Sequence, residues 1–204
     1  MSKKISHGDP RSTKAARTRD RILATAQREA SIRGIDGLTI GGLAELSGMS
    51  KSGLNAHFGS KEALQLAVID FTAERFRNDV VTPSLAGSPG LKQLEALMSR
   101  WIDWSQHPDR PGGCQLIAAA FDFDALDGAV SERLAEWLGA WRGAIVRAVL
   151  LANRVDGGAR DAERLASLAF GLYMSQHMER FLLGDADAAR RAERSWQSAI
   201  RAEV

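Results

Sequence analysis

An all-α fold is what the spacing of apolar residues predicts: a small N-terminal helical unit followed by a larger C-terminal helical bundle. Two observations carry this. No segment alternates apolar and polar residues with period two, so no sheet is predicted. Apolar residues recur instead at helical spacing, in runs separated by breaks such as "VTPSLAGSPG", "HPDRPGG", "LDG", "VDGG" and "LGDAD".

Residues 1–17 are polar, contain Gly8 and Pro10, and show no periodicity; they read as a mobile arm. Ile22, Leu23, Ala26 and Ala30 then fall on one helical face, with Gly34 as the stop. Thr39 is placed to cap a short second helix carrying Leu43, Ala44 and Leu46, ended by Gly48. Ser50 is placed to cap a third, whose only inward residues are Leu54 and Phe58, ended by Gly59. Ser60 caps a longer fourth helix with Leu64, Ala67, Val68, Phe71 and Phe76; Glu62 in its first turn suits the helix dipole. Beyond the break at "VTPSLAGSPG", amphipathic helices are expected over roughly 90–106, 114–126, 129–155, 161–183 and 186–201.

Composition narrows the function. Hydrophobic residues make up 45% of the 204, enough for a sizeable core, and 25% are charged, as in a soluble chain. No run approaches the roughly 20 apolar residues that cross a bilayer, so no membrane partner is expected. The basic N-terminus is followed by no apolar run, so no secretion signal is expected. Cys114 stands alone, which excludes an intrachain disulfide and suits a reducing cytoplasm. The net charge is only +2, but it is unevenly spread. Residues 1–60 hold ten Lys/Arg against five Asp/Glu, whereas the remainder holds seventeen against twenty. Most of the excess lies in Lys3, Lys4, Arg11, Lys14, Arg17 and Arg19, a basic arm suited either to nucleic-acid phosphates or to solubility alone.

The stretch "TIGGLAELSGMSKSGLNAHF", Thr39 to Phe58, carries the sharpest signal. Ala44 is small enough to let a second helix approach, Gly48 four residues later suits a tight turn, and Met49 and Leu54 plug the junction. That is the logic of a helix-turn-helix, in which the second helix needs one buried side and presents the other to the major groove. With the following "GSKEAL", the pattern resembles the TetR family of bacterial transcriptional regulators over about residues 18–70, most closely at "SGMSKSGLNAHFGSKEAL". "PGGC" at Pro111–Cys114 also looks like that family's regulatory half.

The resemblance divides the chain into an arm (1–17), a helix-turn-helix DNA-binding domain (18–62) and a ligand-binding and dimerisation domain (63–204). It implies base or phosphate contacts from Ser50, Ser52 and Gly53, and phosphate contacts from Lys51, His57, Lys61 and Thr39. Arg17 and Arg19 join them from the basic segment. Asn55 replaces the family's usual aromatic residue, and Ala56 a bulky one; Asn55 suits an adenine edge or a phosphate. Ser50 and Ser60 would equally be chosen as plain helix caps, and His57 and Lys61 as plain surface residues. Leu54, Phe58 and Met49 are assigned to the core.

In the C-terminal part, Met98, Trp101, Phe121, Trp137, Trp141, Tyr173, Met174 and His177 fall on helical stripes. Such stripes serve either as core or as the lining of an apolar ligand cavity, and Tyr173 and His177, four apart, share a face. In the resembled family such a cavity takes a small molecule that weakens DNA binding. The resemblance also implies a homodimer through the last two helices. Leu165, Leu168, Leu172, Gln176, Leu183, Trp196 and Ile200 supply the seam, unless they pack within one subunit.

An enzyme is disfavoured. His7, His57, His107 and His177 are scattered, none at metal-ligand spacing, and Cys114 has no base nearby in sequence. There is no phosphate-cradling glycine loop, and Asp122 and Asp124 splay around a helix. No metal or cofactor is expected. The expected function is a cytoplasmic, homodimeric regulator, a repressor that a small molecule releases from a palindromic operator. The alternative is a helical ligand-binding or protein-interaction module without an operator.

Overall fold

The computed structural model describes residues 10–152 and 159–203. Among these the regular structure is helical throughout: α1 (Pro10–Arg33), α2 (Ile40–Leu46), α3 (Lys51–Phe58), α4 (Lys61–Phe76), a π-helical turn (Arg77–Val81), α5 (Thr82–Leu85), α6 (Leu91–Gln106), α7 (Gln115–Phe123), α8 (Ala129–Ala152), α9 (Ala159–Phe181) and α10 (Ala188–Glu203). No helix is long and apolar enough to cross a membrane.

Two expectations need correction. Helix α1 begins at Pro10, so residues 10–17, read as part of an arm, are helical; proline suits a first helical position because no N–H is needed there. Residues 1–9 of that arm lie outside the described residues, as does the break at residues 155–158. The break expected near "VTPSLAGSPG" falls inside that stretch, but α4 does not run up to it as one regular helix. It passes through the π turn into α5, with Pro83 tolerated in the first turn, and the chain leaves the helix only after Leu85. The later helices match to within a few residues, although α7 stops at Phe123 instead of 126.

Helices α1–α4 form the N-terminal head. Ile22, Leu23, Ala26 and Ala30 of α1 enter one core with Leu43, Ala44, Leu54, Phe58, Leu64 and Val68. Gly48, at φ 64°, makes the turn between α2 and α3. The C-terminal body packs α8 and α9 against each other and α10 against both α9 and α6. The Trp196 indole donates to the Leu94 carbonyl at 2.7 Å and fixes α10 on α6.

Helix α4 crosses the boundary placed at 62/63 and touches α1, α3 and α8, so head and body share it. A second junction is the loop between α6 and α7. Arg28 of α1 donates to the Pro108 carbonyl at 2.8 Å, Arg75 of α4 to Gln27 of α1 at 2.8 Å, and Gln115 of α7 to Thr72 of α4 at 2.9 Å. Gly112 lies so close to α1 that a Cβ there would overlap the Ser31 carbonyl oxygen.

Candidate nucleic-acid interface and ligand cleft

Helix α3 is held by two side chains and offers most of the others. Leu54 is fully buried and Phe58 nearly so, while Lys51, Ser52, Asn55 and Ala56 are exposed and Gly53 and His57 half-buried. Its start is fixed by Ser50, whose hydroxyl accepts from the Gly53 N–H at 3.0 Å and lies 3.2 Å from the Ser52 hydroxyl. Thr39 caps α2 through the Gly42 N–H, and Ser60 caps α4 through the Ala63 N–H, each at 3.0 Å. The cap reading is therefore satisfied for all three hydroxyls. All three stay exposed, so their remaining lone pairs and the hydroxyl proton stay available.

Lys51, Ser52, Asn55, Ser60 and Lys61 line one shallow hollow with Ile40 and Gly59. Lys61 also forms an exposed ion pair with Asp36, Nζ to Oδ1 at 2.8 Å. The hydrogen bond and charge of Lys61 hold the Asp36 carboxyl below its usual pKa. Arg17 stands exposed on α1. Arg19 sits differently: its Nη1 donates to the His57 carbonyl at 2.7 Å, and its guanidinium lies 4.5 Å from the Phe58 ring centroid. It clamps the C-terminal end of α3 onto α1. Helix C-terminal carbonyls attract such cations, so the geometry makes Arg19 a positioning residue for the exposed helix.

The aromatic stripes come together in the body, but mostly as core. Trp101 and Tyr173 stack with centroids 4.0 Å apart, Trp141 meets Trp101 edge-on at 5.2 Å, and His177 follows Tyr173 at 6.2 Å. Met98, Trp101 and Trp141 face an interstice with Leu97, Ile145, Ala169 and Trp196 that has no room for a water. Met174 is half-buried, and Phe121 is 60% exposed on the opposite surface of α7. Phe121 and Met174 instead share an outer apolar groove with Leu138, Gly139 and Phe170.

The open space lies elsewhere. A cleft of about 460 Å³ runs between α4, the π turn and α8. Its floor is Ile69, Ala73, Phe76, Val81, Trp137, Trp141 and Ala144; Asp70, Glu74, Arg77, Arg133, Glu136 and Arg147 form its rim. Only Trp137 and Trp141 of the expected lining reach it. The α4 and α8 residues were missed because nothing in a single sequence says which two amphipathic helices splay apart.

The expected dimer seam is also corrected. Leu165, Gln176, Trp196 and Ile200 are buried inside this one chain, and Leu168 and Leu172 are half-buried against the same core; Leu183 is 67% exposed. The large apolar side chains that face outward on α7, α8 and α9 are Phe121, Leu150, Leu151 and Met178; of these, Phe121 lines the groove it shares with Met174. Among the described residues no three His, Cys, Asp or Glu side chains gather to hold a metal.

Two family models match the chain. Residues 22–68 match "Bacterial regulatory proteins, tetR family", and residues 90–196 match "Tetracyclin repressor-like, C-terminal domain". Among solved structures, a TetR transcriptional regulator from Chloroflexus aurantiacus is 26% identical, with a TM-score of 0.79 over 93% of this chain and 96% of that one. A TetR-family regulator from Streptomyces coelicolor has a TM-score of 0.78 at 18% identity, covering 92% and 96%. AibR, solved in complex with isovaleryl coenzyme A and operator DNA, has a TM-score of 0.65 at 19% identity, covering 88% and 96%. No curated protein matches.

Proposed function

We propose a mode of action for this chain on the ground that it belongs to the TetR family of bacterial transcriptional regulators. It is a DNA-binding regulator. As a homodimer in the cytoplasm, it represses transcription from a palindromic operator until a small molecule releases it. The observation that carries this reading is α3, anchored by Leu54 and Phe58 with Lys51, Ser52 and Asn55 turned outward. Residues 18–62 act as the reading unit and 63–204 as the regulatory one, with α4 common to both. Asn55 faces a base edge, while Thr39, Ser50, Lys51, Ser52, His57, Lys61 and Arg17 hold backbone, with Gly53 letting it approach. Arg19 keeps α3 in place. No catalytic step is assigned.

The homodimer forms through the outer faces of α7, α8 and α9, where Phe121, Leu138, Gly139, Phe170 and Met174 leave an apolar groove and Gly171 permits close approach. The releasing ligand enters the α4–α8 cleft. AibR, with its acyl coenzyme A and operator DNA, is a precedent for both ligands on one such fold. A ligand that binds the cleft better in the DNA-free state shifts the population by that difference in affinity and no more.

Fluorescence anisotropy of the purified chain on the duplex upstream of its own gene, beside a scrambled duplex, tests the reading. A preference of about a thousandfold with a steep salt dependence is the expected result. Weak and equal binding to that duplex, to its scramble and to sequences selected from random DNA would favour the ligand-binding module without an operator.

A further inference from the structure

Arg110, in the loop before α7, is 3% exposed. Its Nε donates to the Trp104 carbonyl at 2.5 Å, and its guanidinium lies 3.6 Å from the Trp104 ring centroid. Its Nη1 has no partner, and among the described residues no carboxylate comes within ion-pairing distance of the group. The charge that acts on it most strongly is another guanidinium, that of Arg75; the Asp109 and Asp79 carboxylates favour its charge more weakly, from beyond ion-pairing distance. A largely buried cation without a direct ion pair is costly, so such a group calls for an anion.

Further buried donors without acceptors lie in the same aromatic core: the indole N–H groups of Trp101 and Trp141, whereas the Trp104 indole has Cys114 beside it and the Tyr173 hydroxyl has Ser105. Buried amide oxygens of Gln115 and Gln176 and the His177 Nδ1 also lack partners. Bridging waters would bring donors as well as acceptors; a carboxylate brings acceptors and the missing charge.

Phe76 separates this core from the cleft. It lines the cleft, and its ring stands edge-on to Trp101, Trp104, Trp137 and Trp141 with centroids 6.4, 5.5, 5.4 and 5.0 Å away. The next residue opens the π-helical turn, an interruption of helical register that often marks a functional site. At the rim, Arg133 is tied to Asp70 and Glu136, and Arg77 to Glu74, whereas Arg147 has no ion pair among the described residues. Arg147 at the rim and Arg110 in the core are thus both guanidiniums without an ion pair among the described residues.

We infer that the cleft takes an organic acid with an aromatic body: the ring displaces Phe76 among the tryptophans, and the carboxylate pairs with Arg110. This rests on the cleft being the ligand site proposed above.

The probes are 2-naphthoate and its neutral isostere 2-naphthamide, titrated into the full chain with tryptophan fluorescence and thermal unfolding as readouts. The acid should bind at least about tenfold tighter than the amide, the factor a charge-assisted hydrogen bond supplies. In Arg110→Gln the acid should fall to the affinity of the amide, the amide should be unchanged, and the Tm should not drop, because an unpaired buried charge has been removed. Arg110→Lys should keep a reduced preference for the acid, and it serves if the first variant fails to fold. Equal binding of both probes, or an acid affinity untouched in Arg110→Gln, overturns the anion while leaving the cleft as a ligand site. Binding of neither overturns both. An acid that binds through Arg110 yet leaves operator DNA bound defeats the release reading alone.

Discussion

Lys61 pairs with Asp36, and the proposed interface gives it a DNA phosphate as a second negative partner. Its pair with Asp36 is exposed and worth little by itself. Lys61→Ala should therefore weaken binding to every duplex alike and reduce the salt slope by about one, as read by anisotropy across salt concentrations. Asp36→Asn should act in the opposite direction, because the phosphate no longer competes with a carboxylate. Asn55→Ala should change preference at particular base pairs by about 1–3 kcal/mol; equal loss on all sequences would assign Asn55 to the backbone instead. The proposed contact side chains from Thr39 to Lys61 can be named from sequence because they sit in one contiguous motif. Asp36 cannot, since its partner is 25 positions away and only the fold brings them together. The same holds for Arg110, whose burial no local pattern announces. His177 makes a further prediction. Burial lowers its pKa below the usual 6.5. The unfolded chain then takes up the proton first as pH falls. Stability is held above about pH 6.5 and lost below it, down to the folded pKa. The Tm of wild type should drop across that window and that of His177→Gln should not. Glu179 and Asp185, whose pKa values are lowered by Arg191, act only at more acid pH.

Among the elements, α1, α4 and the α6–α7 loop decide how the head sits on the body. Gly112→Ala would drive a methyl group into the Ser31 carbonyl of α1, and neither backbone can yield without moving its element. A loss of about 1–3 kcal/mol or more is expected in denaturant unfolding, with DNA affinity falling as well. Leu54→Ala should cost about 2–5 kcal/mol, since α3 has few other anchors. Helix existence and order were readable because apolar spacing and the Thr39, Ser50 and Ser60 caps agree with each other. Helix ends were less so: α1 begins at Pro10, inside the segment read as an arm, and α7 stops at Phe123.

For the assembled regulator, the sequence showed that α8, α9 and α10 are amphipathic but not which apolar face meets which neighbour. Leu165, Trp196 and Ile200 are spent on the chain's own core, and the outward groove beside Phe121 is the surface proposed for a second copy. Phe121→Glu alters a side chain already 60% exposed, so folding should survive while sedimentation shifts from dimer toward monomer and operator affinity collapses. The most direct test of a dimeric reader is selection of binding sites for the full chain from random duplex DNA. The account predicts an inverted repeat whose half-sites are separated by about one helical turn, or a multiple of it, with enrichment lost in Asn55→Ala at defined positions. A single unpaired half-site, or a pool that never converges on any sequence, would contradict it.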